Sequence, residues 1–92
     1  MTLEEATELQ REVPLWELIE DGQALRRIFT FANHHEVMAF VNAVAWISHR
    51  EDHHSTLAVG YSRCEMRYTT HAVEGLTEND FICASKVDAL LE

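Results

Sequence analysis

Between Arg63 and Tyr68 the chain alternates without error, with Cys64, Met66 and Tyr68 on one side of an extended backbone and Arg63, Glu65 and Arg67 on the other. A period of two of this quality predicts a half-buried antiparallel strand. The stretch from Val37 to Ile47 behaves differently, since Asn42 is its only polar residue. A helix lying on a sheet needs one apolar stripe, whereas this one is apolar around nearly its whole circumference. A second buried face is therefore implied, and in so short a chain it points to another subunit.

Local signals supply the remaining elements. Thr2 with Glu5 is a capping box that starts a first helix running to about Glu12, and Pro14 stops it. Leu15–Glu20 reads as a strand, Asp21-Gly22 as a primed hairpin turn, and Ala24–Phe31 as the partner strand. Asn33 and Glu36 open the second helix, which extends to about Arg50. Thr56–Val59 is a short strand that turns through Gly60-Tyr61-Ser62 into Arg63–Tyr68. Gly75 breaks the next loop, and Thr77 with Asp80 caps a final helix whose Phe81, Ala84 and Leu91, with Ile82 nearby, can face the sheet. The order is αββαββα, an α+β fold with a four-stranded antiparallel sheet and helices packed on one face. No repeat, linker or low-complexity tract interrupts it, so residues 1–92 read as a single domain.

Size and charge narrow the function classes. A 92-residue chain buries only about 60–65% of its unfolded surface and gains from oligomerising. Seven Lys and Arg against sixteen Asp and Glu give a formal charge of −9. That balance repels phosphate backbones and anionic lipid, which argues against direct nucleic-acid or membrane binding. The start Met-Thr-Leu-Glu-Glu resembles no export signal, and no stretch reaches the ~20 apolar residues of a membrane span. A cytoplasmic protein with reduced Cys64 and Cys83 is expected, and these two cysteines have no C-x-x-C spacing.

The candidate chemistry lies in the histidines. His34 and His35 read as a solvated helix start. His53 and His54 sit where the second helix gives way to a strand, and His71 follows the strand that pairs with it. Working outward from the Gly60–Ser62 turn puts Ser55 opposite Tyr68, which brings His53, His54 and His71 to one end of the sheet. Whether all three meet in one pocket, or one is a solvated loop histidine, stays open on spacing alone. Asp80 either caps the last helix or orients an imidazole, and His49 either lines the same pocket or lies on the surface. Three histidines also suggest a zinc site, but adjacent histidines rarely direct both rings at one ion, so no metal is expected. With no phosphate loop and no nucleophile motif, general acid–base catalysis is the chemistry left for them.

His49-x-x-x-His53-His54-Ser55, then Tyr61, His71 and Asp80, resembles the active-site signature of the pterin-4a-carbinolamine dehydratases. The stretch Thr69-Thr70-His71-Ala72-Val73-Glu74-Gly75-Leu76-Thr77-Glu78-Asn79-Asp80-Phe81 is similar to that family's link between last strand and last helix, and weaker similarity runs back through Arg27–Phe31 and the second helix. Three positions depart from the pattern: Ser55 where proline is usual, Leu57 near where many members carry an aromatic, and His49 where glutamate is common.

The resemblance implies the αββαββα fold and dehydration of 4a-hydroxytetrahydropterin to quinonoid dihydropterin, the recycling step behind aromatic amino acid hydroxylases. It implies His54 as principal proton-transfer residue, His53 as acid–base partner, and His71 as pocket former. Asp80 would hold His71, with His49 supporting and Ser55, Leu57 and Tyr61 lining the pocket. The pterin is substrate, and no further cofactor is implied. The expected partner is a second copy, in a homodimer or homotetramer built through the second helix and sheet edge. Two alternatives keep the fold: an interaction module acting as a dimerisation cofactor, and a dehydratase serving another pterin pathway such as molybdenum-cofactor metabolism.

Overall fold

The first helix, α1 (Leu3–Gln10), begins at a complete capping box: Glu5 N–H donates to Thr2 Oγ1 (3.1 Å) and Thr2 N–H to Glu5 Oε1 (2.8 Å). The computed structural model describes residues 1–92. α1 ends two residues before the expected Glu12. Ahead of Pro14 the chain tightens into three-residue turns, with Glu12 N–H on Leu9 O and Val13 N–H on Gln10 O, as the restriction proline places on its predecessor requires. This turn drives Val13 and Trp16 into the core. Pairing with the next strand starts only at Glu17, so β1 (Glu17–Ile19) is shorter than the expected Leu15–Glu20, and Leu15 is exposed.

The turn into β2 (Ala24–Thr30) spans four residues rather than Asp21-Gly22 alone, because Ile19 pairs with Ala24. Glu20, Asp21 and Gly22 all have positive φ. Gly22 is favoured by its φ of 82°, whereas a Cβ there would meet only the end of the exposed Leu3 side chain, at 2.6 Å, which can move aside.

Asn33 caps α2 (His34–Glu51) by accepting from Glu36 N–H at 2.9 Å. The helix stops in a Schellman arrangement: Asp52 is left-handed (φ 49°), its N–H returns to His49 O, and His53 N–H reaches Ser48 O at 3.0 Å. Strands β3 (Thr56–Val59) and β4 (Arg63–Tyr68) have the expected bounds. Their register pairs Thr56 with Arg67 and Val59 with Cys64. The antiparallel sheet runs in the order β1-β2-β4-β3.

The inner face of the sheet carries Leu25, Phe29, Cys64, Met66 and Tyr68, all buried. Val37, Phe40, Val44 and Ile47 of α2 cover it, together with the last helix, α3 (Glu78–Ala89). From α3 it is Phe81, Cys83, Ala84 and Val87 that are buried. The expectation for Leu91 and Ile82 fails. The helix ends at Ala89, before Leu91 can join the stripe, and the two side chains are 50% and 44% exposed. The outer face of the sheet holds an ion ladder in which Arg26 joins Glu17 (2.5 Å) and approaches Glu65 (4.0 Å), Arg63 approaches Glu65 (3.8 Å), and Arg67 meets Glu20. On α2, Met38 and Trp46 stay exposed, so the chain by itself covers one side of that helix. No helix is long and apolar enough to cross a membrane.

Candidate active site

The Schellman turn at the end of α2 fixes where His53 starts, and a buried carboxylate fixes where its ring points. His53 Nε2 lies 2.5 Å from Asp80 Oδ1, with the His53 side chain 14% exposed and Asp80 fully buried. The other carboxylate oxygen accepts Thr70 Oγ1–H at 2.8 Å and Thr77 N–H at 3.0 Å. Thr70 Oγ1 is also 2.9 Å from Thr77 Oγ1. Thr70 has one hydroxyl proton and gives it to Asp80, so Thr77 donates to Thr70. The carboxylate thus gathers donors, the third being His53 Nε2–H, and this tautomer leaves Nδ1 with the free lone pair.

Asp80 therefore has both of the roles open to it. As third residue of α3 it folds back on the Thr77 amide, completing that half of a capping box. The same side chain orients an imidazole, but the imidazole is that of His53. The expectation that Asp80 holds His71 is corrected: its oxygens are committed to His53, Thr70 and Thr77. His71 lies one residue beyond Thr70 and opens a short turn, His71–Val73, closed by reciprocal backbone bonds between Thr70 and Gly75. His71 and His54 are both exposed.

The site thus has a buried half, formed by His53, Asp80, Thr70 and Thr77, and an open half carrying His54 and His71. Extending the β3–β4 register by one step sets Ser55 against Tyr68, so both halves lie at one end of the hairpin. Tyr68 is fully buried, and its ring lies parallel to the His53 ring at 5.8 Å.

Other expected residues lie elsewhere. Tyr61 sits in the turn at the opposite end of the hairpin, 75% exposed, stacked on His34 at 5.6 Å with its carbonyl 3.1 Å from His34 Nδ1. It does not line the pocket with the histidines of its own chain. His49 faces outward from α2, edge-on to Trp46 at 5.8 Å in a shallow hollow with Ala45. Its place one helical turn before His53 does not carry over, because the helix stops at Glu51 and the chain reverses at Asp52. Leu57 is half-buried against the core. Thr70 and Thr77, which bond Asp80, and Tyr68, which lies parallel to His53, were not among the residues expected at the site. Tyr68 had a signal in its inward phase on β4 opposite Ser55, whereas the threonines had none beyond their nearness to His71 and Asp80.

Burial pushes the Cys83 thiol up to about 11, assisted by Glu51 and Asp80, and burial also raises Cys64. Both thiols stay protonated at neutral pH, which makes them poor nucleophiles. No three His, Cys, Asp or Glu side chains are grouped so as to hold a metal ion.

The model of the family described as pterin 4 alpha carbinolamine dehydratase matches residues 1–90. A Nitrosospira multiformis protein provisionally named pterin-4-alpha-carbinolamine dehydratase is 53% identical over 92 residues, covering 100% of this chain and 80% of its own length. A Stenotrophomonas maltophilia protein with the same provisional name is 59% identical over 85 residues, 92% of this chain and 73% of its own. Among solved structures, a transcriptional coactivator/pterin dehydratase from Brucella melitensis superposes with a TM-score of 0.94 at 27% identity, over 100% of this chain and 98% of that one. A pterin dehydratase-like RuBisCO assembly factor of the alpha-carboxysome shares the fold at a TM-score of 0.71 and 22% identity, covering 82% and 87% of the two chains.

Proposed function

Because the chain belongs to the pterin 4 alpha carbinolamine dehydratase family, we propose that it removes water from 4a-hydroxytetrahydropterin to give quinonoid dihydropterin. The observation that carries this reading is the His53–Asp80 pair, a carboxylate-oriented imidazole at the end of the hairpin that also carries the exposed His54 and His71. In the reaction the C4a–O bond breaks, the N5–H proton departs, a C4a=N5 double bond forms, and the leaving hydroxyl takes up a proton to become water. One group must accept a proton as another gives one, and imidazoles do both near neutral pH. His54 is the principal proton-transfer residue, and His53 is its partner acting from Nδ1. His71 hydrogen-bonds the pterin at the open rim. Ser55 and Leu57 form the adjoining wall.

Loss of the 4a-hydroxypterin absorbance signal tests this. The protein should accelerate it, and His54→Ala should reduce the acceleration by about 100-fold or more. A folded His54→Ala protein with full activity would overturn the assignment.

The exposed Met38 and Trp46 on α2 support a homo-oligomer built through that helix and the sheet edge, since a monomer gains by covering large apolar side chains. Light scattering should give a dimer or tetramer at micromolar concentration, and a strict monomer would remove this part of the reading. The same face supports a second reading, an interaction module in the manner of the Brucella melitensis transcriptional coactivator/pterin dehydratase. A pull-down that recovers only the protein itself favours self-association.

A further inference from the structure

The buried half of the candidate site holds one group to which the proposed reaction assigns no task. Tyr68 is fully buried, and its ring lies 5.8 Å from that of His53 with 9° between their planes. Its hydroxyl makes no hydrogen bond of good geometry, although buried tyrosine hydroxyls ordinarily find one, and the Ser55 hydroxyl is the one group that comes close to partnering it. Burial raises the phenol well above its ordinary range, Cys83 and Asp80 add to this, and the Ser55 hydroxyl only partly offsets it. Tyr68 therefore stays protonated at neutral pH and transfers no proton. A residue that is buried, aromatic, parallel to a site imidazole and inert as an acid can still act through that imidazole.

We propose that Tyr68 is a positioning residue for His53, its ring fixing the plane of the imidazole while Asp80 fixes its direction. A single hydrogen bond from Nε2 to Asp80 leaves the ring free to swing about the bond axis, which would sweep Nδ1 along an arc. The flat face of Tyr68 removes that freedom. The face is itself braced, because Trp16 packs against the Tyr68 ring at 5.6 Å and donates from Nε1 to Asp88 at 2.8 Å. The His53 backbone is tied to Ser48. Three constraints, on backbone, direction and plane, thus leave Nδ1 aimed at one point. Misplacement of a reacting group by about an ångström is enough to cost rate. The ring, and not the hydroxyl, carries the role.

The kinetic half of this inference rests on the dehydratase reading; the ring-orientation half does not. The test compares Tyr68→Phe, Tyr68→Leu and the unbranched Tyr68→Met in the full chain, each checked for folding by thermal melting, with the longer, more flexible Met chain better able to fill the vacated ring space should Leu fail to fold. Dehydration kinetics across pH are read beside the nitrogen-resolved NMR signals of the His53 ring.

Tyr68→Phe should keep the wild-type kcat, pH profile and Nε2–H signal. The non-aromatic variants should lose about tenfold in kcat with KM little changed, shift the pH profile, and exchange the Nε2 proton faster with solvent. A folded Met or Leu variant with wild-type kcat and an unchanged His53 signal would overturn the proposal. So would a Phe variant as impaired as Met, since that would move the role to the hydroxyl. A wild-type protein without dehydratase activity would sink the reaction assignment alone, and the His53 signal in the same variants would still decide the positioning role.

Discussion

At both ends of the β3–β4 hairpin a histidine ring lies parallel to a tyrosine: His34 on Tyr61 at 5.6 Å and 10°, His53 on Tyr68 at 5.8 Å and 9°. The two stacks are nearly the same in geometry and opposite in setting. Tyr61 is 75% exposed and His34 is exposed too, with a backbone carbonyl beside its Nδ1. Tyr68 is fully buried, and His53 meets a buried carboxylate that also takes two other donors. An imidazole on a tyrosine is a packing arrangement at one end and part of a candidate proton-transfer site at the other. What separates them is Asp80, which gives one ring a defined tautomer, and the exclusion of water that stops that bond from being traded away.

The sharpest way to break the contrast is to remove the carboxylate. Asp80→Ala would leave three part-buried donors, the His53 ring N–H, the Thr70 hydroxyl and the Thr77 amide, without their acceptor. We expect a stability loss of about 3 kcal/mol by urea denaturation. The milder Asp80→Asn keeps the shape but offers one acceptor oxygen, and we expect it to fold while losing about 100-fold in dehydration rate. An Asp80→Asn protein with wild-type activity would make the buried end as inert as the exposed one.

A smaller effect comes from pH, and it follows burial rather than one end of the hairpin. Cys83 has its folded value raised to about 11 from an ordinary 9.0, and Tyr68 and Cys64 are raised in the same direction. In the unfolded chain the thiol ionises first, so between pH 9 and 11 the native state binds more protons and stability falls as pH rises. The contribution is fully present below pH 9. Thermal melts should show this alkaline slope, and Cys83→Ala should flatten it; an equal slope in the variant would count against the buried-thiol explanation.

The smallest effect belongs to the other stack. His34→Ala and Tyr61→Ala alter exposed side chains, and each should change stability by no more than about 0.5 kcal/mol and leave the dehydration rate where it was. Loss of activity in Tyr61→Ala would return that residue to the substrate pocket, by way of a neighbouring subunit.

The alternation of β4 and the caps at Thr2 and Asn33 were legible because each depends on residues within one or two turns of chain. The strand bounds of β3 and β4 and the Ser55–Tyr68 alignment followed from the same local logic. The Asp80 pairing was not legible. It depends on where α2 stops, on the reversal at Asp52 and on α3 lying beside that reversal, which together connect residues 27 positions apart. The residues themselves said only that Asp80 could orient an imidazole, and the assignment to His71 came with the family resemblance. Tyr61 was misplaced for a related reason: proximity within a spaced pattern does not say which end of a hairpin a residue occupies. Leu91 failed because the helical stripe was extended past the point where the helix ends.

Asp52 contributes no atom to the proposed chemistry, yet its left-handed backbone (φ 49°) turns the end of α2 so that His53 leaves toward Asp80. Glycine holds that conformation with the least strain, and aspartate tolerates it better than most other residues. The position behaves like a hinge pin in a mechanism: it does no work itself, but a β-branched residue inserted there would jam the joint. An engineer wishing to stiffen or redirect this site would start at that pin and leave the histidines untouched.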